Sequence, residues 1–300
     1  MDRLAGAPIS WGVCEVPGWG RMLPVDRVLA EMASVGLSAT ELGAPGFLPH
    51  KPDALKAKLD EFGLRLVGGF VALVLHDPAQ AESTLDQARA AAARFEQAGG
   101  DVFVTAAVVD QAWAPRVGPD RAQWDHVGHM LARLDDLLGE RGLAHAVHPH
   151  VGTLIETADD IERVMDHHDA RWCLDTGHLA VGGVDPVAFA RDVGDRVIHV
   201  HLKDVDLSLA ERVGSSELSL LSAVQRGLFR PLGAGDLAIA DVVGALEATA
   251  YDGWYVLEQD SAIIGDEPRA GAGPIDDVRQ SVDHLRTVVA PRVGGLTAPT

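Results

Sequence analysis

The sequence predicts an α/β protein that folds as a single (β/α)8 TIM barrel. Eight short apolar runs alternate with segments in which apolar residues recur at helical spacing. Several joins between a helical segment and the next apolar run contain a glycine, which ends helices because it adopts a positive φ at little cost. Eight such units without a change in composition favour one barrel over a doubly wound sheet, which would need fewer strands or a second domain.

The predicted strands are the eight apolar runs Pro8–Trp11, Ala39–Leu42, Leu64–Phe70, Val102–Ala106, Ala144–His148, Trp172–Asp175, Val197–Leu202 and Trp254–Glu258. The predicted helices are Val25–Val35, Asp53–Phe62, Ala79–Ala98, Arg121–Glu140, Ala158–His167, Pro186–Val193, Asp236–Thr249 and Pro274–Val289. Parallel strands in such a barrel bring the polar residues that follow them to one edge, where ligands bind.

Two segments interrupt the repeat. Residues 206–231 lie between the seventh predicted strand and the next helix, and they exceed an ordinary loop in length, which predicts a lid or rim over the barrel mouth. Residues 292–300 are rich in glycine, proline and threonine and are expected to form a flexible tail. Residues 1–291 then form the barrel domain.

The composition restricts partners and compartment. Forty-four acidic against 25 basic residues give a formal net charge of −19, which disfavours nucleic acid and anionic membranes. Cys14 and Cys173 are too few for a disulfide framework, which favours the cytoplasm. The chain has neither an apolar run of about 18 residues nor the apolar core of a signal peptide at its start. We therefore expect a cytoplasmic protein that acts on a small molecule, and the sequence leaves a homo-oligomer open.

Asp175, His201 and Glu258 lie at or near the ends of three successive predicted strands. Each has a structural alternative; Asp175, for example, could cap a helix at the turn-forming sequence Asp-Thr-Gly. A single metal site explains these residues at three successive strand ends better than three unrelated structural roles do. Mixed carboxylate and imidazole ligands suit Mn²⁺, Co²⁺, Mg²⁺, Fe²⁺ or Zn²⁺, and we expect no cysteine to be usefully placed for the metal.

The fifth predicted strand ends in a cluster of histidines. His148 and His150 lie at its end, Glu156 follows six residues later, and His145 is expected to point away from the site. A single histidine is more often a hydrogen-bonded structural residue than a ligand. Several histidines at one strand end favour a functional site.

Three further residues are candidates for substrate binding. Trp11 would either form an aromatic wall for the substrate or close the end of the barrel. Glu41 lies in an apolar context, where a carboxylate needs a partner, so it belongs either to the site or to a structural ion pair. Asp260 lies two residues after Glu258 and shares its face of the strand.

The motifs CLDTGH, HVHLKD and WYVLEQD resemble those of the xylose isomerase-like TIM-barrel superfamily, and the resemblance extends over nearly the whole chain. The segments APISWG, TELGAPGFLP, HPHVGTLIET and PLGAGD are most similar to its inosose dehydratase branch. The superfamily also includes sugar-phosphate isomerases and epimerases, keto-sugar 3-epimerases and abasic-site endonucleases. The resemblance therefore implies a barrel enzyme with one divalent metal at the C-terminal ends of its strands.

The resemblance also implies a ligand set of Glu, Asp, His and Glu from barrel strands five to eight. Asp175, His201 and Glu258 match three of these positions, but His148 stands where the family has its first glutamate. Either His148 replaces that ligand or Glu156 reaches the metal, and three carboxylates would balance a hard dication better. His178 matches a family histidine near the metal, and Lys203 occupies a position that contacts substrate in relatives.

These assignments imply a metal-dependent lyase or isomerase that forms an enediolate from a polyhydroxy ketone, with inosose (keto-inositol) dehydration as the leading reaction. Glu258, His148 or Lys203 would remove the α-proton, and His178 or His150 would protonate the departing hydroxyl. The surplus of histidines favours dehydration over the alternative, isomerisation or 3-epimerisation of a keto-sugar or sugar phosphate. An abasic-site endonuclease, which the net charge disfavours, and a non-catalytic sugar-binding protein are more distant alternatives.

Overall fold

The computed structural model describes residues 3–294, which form a ring of parallel strands surrounded by helices. The strands are β1 (Leu4–Gly6), β2 (Ala39–Thr40), β3 (Arg65–Leu66), β4 (Gly68–Leu73), β5 (Val102–Ala107), β6 (Ala144–Val147), β7 (Trp172–Asp175), β8 (Val197–Leu202), β9 (Asp204–Val205), β10 (Phe229–Arg230) and β11 (Tyr255–Leu257). The helices are α1 (Val25–Ser34), α2 (Pro52–Asp60), α3 (Ala81–Ala98), α4 (Arg121–Gly139), α5 (Ala158–His167), α6 (Thr176–Val181), α7 (Pro186–Val193), α8 (Leu207–Gly214), α9 (Leu220–Val224), α10 (Ile239–Ala248), α11 (Pro274–His284) and α12 (Ala290–Val293).

The ring closes through a single stretch of chain. The strands pair in the order β3-β2-β1-β11-β8-β7-β6-β5-β4, and only Val67 separates the two outermost members, β3 and β4. The Val67 amide donates to the Thr40 carbonyl (2.9 Å), and the Val67 carbonyl accepts from the Asp101 amide (2.8 Å). β3 and β4 therefore act as one barrel strand, and the predicted (β/α)8 barrel is confirmed.

The first strand differs from its prediction. Residues Pro8–Trp11 form a 3-10 helix, and β1 is instead Leu4–Gly6, which pairs with β11 and β2. Proline has no amide proton to offer a central strand, but it fits the first turn of a helix. Leu4–Gly6 has a weak sequence signal because it is three residues long and contains only one large apolar side chain.

The predicted helices are confirmed apart from shifts of a few residues at their ends. In α4, for example, Asp120 and Gln123 form a capping box, with two reciprocal hydrogen bonds of 2.9 Å. The same helix buries Leu131 and Leu134 against the outside of the barrel. Replacing either leucine by alanine would cost about 2–5 kcal/mol of stability, because a core cavity remains.

The insertion 206–231 contains α8, α9 and β10. Strand β10 pairs antiparallel with β9, which sets Phe229 opposite Val205. Both residues belong to a buried cluster that also includes Ala223 and Leu228. The insertion thus packs onto the barrel through a shared apolar cluster that also contains Cys14, Trp19 and Val181, and its role as a lid stays a prediction.

The predicted tail falls partly outside the described residues. Arg292 and Val293 complete α12, which follows a π-helical turn at Leu285–Val289. Residues 295–300 lie outside the part of the chain that the structure describes. Within residues 3–294, none of the helices combines the length and apolar character needed to cross a bilayer.

Candidate metal centre

Asp175 is the last residue of β7 and uses its two carboxylate oxygens differently. Its Oδ1 accepts hydrogen bonds from the amides of Gly177 (2.9 Å) and His178 (2.8 Å), and so caps α6. Its Oδ2 faces the barrel mouth, 3.3 Å from Nδ1 of His201. The helix-cap role and the site role are therefore both present in one side chain.

His201 lies between two carboxylates. The register of β7 and β8 sets Asp175 beside His201, and Nδ1 of His201 lies 3.1 Å from Oε2 of Glu258, which follows β11. The three ligand atoms lie within 4.8 Å of one another. Among the described residues Nδ1 of His201 has no partner with hydrogen-bond geometry, although it is buried. Two carboxylates and an unpaired imidazole nitrogen form a donor set that fits a divalent cation.

Lys203 follows β8 and is fully buried beside the same carboxylates. Its Nζ lies 2.7 Å from Oδ2 of Asp175, contacts Oε1 of Glu258, and lies 3.4 Å from Oδ1 of Asp260. Burial alone would lower the pKa of Lys203, but Asp175, Asp260 and Glu258 raise it well above its ordinary value. The ammonium therefore stays charged at neutral pH.

Asp260 behaves as an acid near neutrality. Burial raises its pKa to about 7, and the charge of Lys203, which acts in the opposite direction, is offset by Glu258 and Asp175. Its Oδ1 has no hydrogen-bond partner of good geometry in the described chain. Asp260 can thus hold a proton near neutral pH, beside the side chains of Lys203, Glu258 and Asp175.

Three histidines form the other side of the mouth. The ring centroids of His150 and His178 are 3.7 Å apart, with the ring planes tilted by 32°. The ring centroid of His148 lies 5.5 Å from that of His178 and 5.1 Å from that of His201. Burial and the neighbouring His148 lower the pKa of His150 to about 3, and burial and His150 lower that of His178 well below its usual range. Both rings are therefore neutral.

His148 carries the opposite electrostatic balance. Burial would lower its pKa, but Cys173 and Asp175 raise it to about 9. Its Nε2 lies 3.4 Å from Oδ2 of Asp175, and its Nδ1 has no described partner. His148 is therefore the cationic histidine of this group.

Phe70 and Trp113 form an aromatic wall that the sequence analysis missed. Their rings are parallel within 9°, with centroids 6.2 Å apart, and both lie within 6 Å of the His150 ring. Trp113 is 37% exposed and adopts a positive φ of 58° in the loop after β5. In the sequence, Trp113 is only an aromatic residue within a predicted loop, and no local pattern shows which way such a side chain points.

Trp11, the residue that was predicted to form an aromatic wall, is fully buried and donates its indole proton to Glu31 (2.8 Å). This contact favours the structural alternative for Trp11.

Glu156 is not brought into the ligand set. Its Oε2 accepts from the Gly152 amide (2.9 Å) and lies 4.0 Å from Nε of Arg116. Within residues 3–294, the clustered ligand atoms include those of Asp175, His201 and Glu258 but not Glu156. The preference for Glu156 over His148 was based on charge alone, and the local loop hydrogen bond holds that carboxylate elsewhere.

Glu41 follows β2 and bridges two histidines of β8. Its Oε1 lies 2.8 Å from Nε2 of His199 and 3.1 Å from Nε2 of His201. Burial would raise the pKa of Glu41, but His201 and His199 lower it well below its usual range. Glu41 accepts the Nε2 proton of His201, so Nδ1 is the ring nitrogen that faces Asp175 and Glu258. Burial would lower the pKa of His201, but Cys173, Glu258 and Glu41 raise it well above its usual value, so a cation at Nδ1 would displace a proton.

Cys173 corrects one prediction. We expected no usefully placed cysteine, but the ligand atoms of Cys173, His148 and His201 lie within 4.8 Å of one another in the barrel interior. Burial would raise the pKa of the thiol, but the two imidazoles lower it to about 6. Because side chains alternate with a period of two along a strand, Cys173 lies on the same face of β7 as Asp175. This spacing in the sequence could have indicated that Cys173 lies near the site.

His145 faces away from the site, as predicted. It lies on β6 and its Nε2 pairs with Oγ1 of Thr105 (2.8 Å), while Nδ1 pairs with Oδ1 of Asp135 (2.6 Å) on α4. It therefore joins the barrel wall to a surrounding helix.

The family model for the xylose isomerase-like TIM barrel matches residues 29–288. The chain belongs to this family. An inosose dehydratase of Geobacillus kaustophilus (strain HTA426) is 32% identical to it over 275 residues, which are 87% of this chain and 89% of that protein. The resemblance inferred from the motifs is thereby confirmed.

Two solved structures share the fold of this xylose isomerase-like chain. L-ribulose 3-epimerase superposes with a TM-score of 0.68 at 16% identity, over 98% of this chain and 95% of the epimerase. The IolI protein with a bound zinc atom superposes with a TM-score of 0.70 at 12% identity, over 97% of this chain and 99% of IolI. The relatives support an enzyme of the dehydratase or epimerase kind.

Proposed function

We propose that the protein is a divalent-metal-dependent dehydratase that removes water from an inosose. One observation carries the proposal: Asp175, His201 and Glu258 converge at the mouth of a barrel whose sequence is 32% identical to that of an inosose dehydratase. The zinc atom of the structural neighbour IolI supports the choice of a divalent ion. Mn²⁺, Co²⁺, Mg²⁺, Fe²⁺ and Zn²⁺ all suit this donor set.

Asp175, His201 and Glu258 would hold the ion. When bound, the ion would polarise the ketone of the substrate and acidify the adjacent C–H group. Glu258, at the carboxyl end of β11, would take that proton on the carboxylate oxygen nearest the substrate. Lys203 is not the base, because its raised pKa keeps it protonated. Its ammonium instead stabilises negative charge that develops on substrate oxygens.

The proton for the leaving hydroxyl would come from His148. Hydroxide is a poor leaving group, so elimination requires a positioned acid. His148 has a raised pKa and an unpaired, buried Nδ1, whereas the lowered pKa values of His150 and His178 leave both rings without a proton to donate as imidazolium at neutral pH. We therefore assign the acid to His148, and assign His150 and His178 to substrate binding as neutral hydrogen-bonding groups.

The aromatic wall suits a ring substrate. Phe70 and Trp113 present apolar surface beside the polar floor of the mouth, and the C–H face of a cyclic polyol packs well against such rings. The net charge of −19 favours a neutral substrate over a phosphorylated one. A keto-inositol meets both conditions.

Keto-sugar epimerisation is the alternative reaction. A two-base epimerase needs groups on both faces of the substrate that exchange a proton with one carbon. Here His148 stands where the family has its first glutamate, and its raised pKa favours donation of a proton over abstraction. This arrangement favours dehydration.

The decisive experiment treats the metal-loaded protein with keto-inositols and keto-sugars in D₂O. We expect water loss from an inosose, with loss of the α-hydrogen, and no reaction by Glu258→Gln. Efficient epimerisation or isomerisation of a keto-sugar without any water loss would overturn the proposal. Exchange at the α-carbon without elimination would overturn the assignment of the acid.

A further inference from the structure

We propose that the barrel holds a second metal position for a thiophilic divalent cation such as Zn²⁺ or Cd²⁺, formed by His148, Cys173 and His201. The three ligand atoms lie within 4.8 Å of one another, and all three residues are at most 1% exposed. Cys173 precedes Asp175 by two residues on β7, so this position lies deeper in the barrel than the carboxylate position.

Unpaired nitrogens provide an independent reason to expect a cation there. Nδ1 of His148 and Nδ1 of His201 are buried and have no hydrogen-bond partner within the described part of the chain. Both imidazoles lie against the Cys173 thiol. A buried polar atom without a partner is unfavourable, and native proteins usually supply one, from protein, water or an ion.

The donor set selects the class of metal. Two imidazoles and one thiolate suit soft and borderline cations, whereas Asp175 and Glu258 suit hard ones. Binding requires Cys173 as a thiolate and His148 and His201 as neutral imidazoles, so the protons that these three groups hold would be released to solvent.

The two positions share His201 and therefore exclude each other. A hard cation would settle between Asp175, His201 and Glu258, whereas a thiophilic one would settle towards Cys173. A cation in the deeper position would occupy His201 and His148 and so inhibit turnover. Only this inhibition rests on the proposed function, since the deeper position follows from the side chains alone.

Co²⁺ titration of the metal-stripped full chain tests the position directly. A thiolate ligand gives Co²⁺ an intense near-ultraviolet charge-transfer absorption, which oxygen and nitrogen ligands do not give. We expect this absorption in the unmodified protein and its loss in Cys173→Ser. Cys14→Ser is the matched control, because it removes the other cysteine of the chain, and it should keep the absorption.

Two further measurements keep the test decisive if Cys173→Ser folds poorly. Glu258→Gln should keep the charge-transfer absorption, whereas His148→Gln should weaken it. By calorimetry, Cys173→Ala should lower Cd²⁺ affinity by at least 10- to 100-fold, since a lost ligand costs no less than a lost supporting residue. Its affinity for Mn²⁺ should change by less than about threefold.

The possible outcomes separate this proposal from the dehydratase proposal. Turnover with Mn²⁺ and no thiolate absorption with Co²⁺ would overturn the deeper position and leave the dehydratase standing. Thiolate absorption with Co²⁺ but no water loss from an inosose would support the deeper position and overturn the dehydratase proposal. Absorption that persists in Cys173→Ser but disappears in Cys14→Ser would also overturn the deeper position.

Discussion

Two clusters of histidine and carboxylate differ in how their ring nitrogens are paired. One lies between β6 and α4, and the other lies in the mouth of the barrel around His148, which follows β6, and the histidines of β8. In the first cluster, both ring nitrogens of His145 have partners, Thr105 and Asp135. At the mouth, His148, His199 and His201 each keep a buried Nδ1 without a hydrogen-bond partner in the described chain.

The pairing of the ring nitrogens separates His145, which has a structural role, from the histidines proposed to act in the site. The same residue types, similarly buried, stabilise the fold where every polar atom has a partner. At the mouth, three buried ring nitrogens that lie close together lack a partner among the described residues, and a bound cation would satisfy them.

Asp175→Asn should abolish metal binding and lower turnover by more than about a thousandfold, since the carboxylate holds both the metal position and Lys203. The buried ammonium would also lose a partner, which costs up to about 3–5 kcal/mol of stability. Elemental analysis measures the metal content, and urea unfolding measures the stability.

The control is Asp169→Asn, which changes a 90% exposed carboxylate paired with Arg196. This variant should change stability by less than about 1 kcal/mol. Full metal occupancy in Asp175→Asn would contradict the ligand assignment.

His148→Gln should lower the rate of water loss by about 10²–10⁴-fold while Mn²⁺ remains bound, because a general acid contributes that much. In the unmodified protein the rate should fall as pH rises through about 9, where His148 loses its proton. This decrease of the rate at high pH should be absent in His148→Gln. His145→Gln should keep the turnover of each folded molecule and lose only stability. Equal loss of turnover in both variants would remove the distinction between the two clusters.

Glu41→Gln should weaken Mn²⁺ binding by about 10–100-fold, the usual cost of losing a residue that orients a metal-ligating histidine. Glu41 fixes the proton of His201 on Nε2, so its loss allows the tautomer with a protonated Nδ1. Calorimetry measures the affinity, and Glu41→Asp is the conservative variant that should restore part of it. Unchanged affinity in Glu41→Gln would assign Glu41 to a structural role.

Asp135→Asn should give the smallest effect, a flatter dependence of stability on acidic pH. Burial would raise the pKa of Asp135, but hydrogen bonds from His145 and His168 lower it in the folded protein. A depressed carboxyl pKa stabilises the fold above the unfolded-state value of about 3.9, and this stabilisation is lost as pH falls below that value. Because the side chain is 35% exposed, the expected difference is below about 1 kcal/mol. Asp136→Asn, at its exposed neighbour, is the control for thermal unfolding between pH 3 and pH 6.

The sequence alone predicted the barrel and several of the side chains that meet at its mouth. Strand and helix periodicities are local properties, so eight alternating units could be read directly and closed into one ring. Asp175, Lys203 and Glu258 were identifiable because each lies at or just after the carboxyl end of a parallel strand, and such ends meet at one edge. Pro8–Trp11 was misassigned because the true first strand is too short for a clear local pattern.

Only the tertiary structure decided which side chains face one another. Glu41 meets His199 across 158 positions of the chain, and Trp113 reaches Phe70 from a loop whose direction no local pattern specifies. The hydrogen bond that holds Glu156 at Gly152, apart from the clustered atoms of Asp175, His201 and Glu258, forms within a folded loop. Long-range contacts of this kind depend on strand register and on how side chains fill the barrel, and neither is a property of a short stretch of sequence.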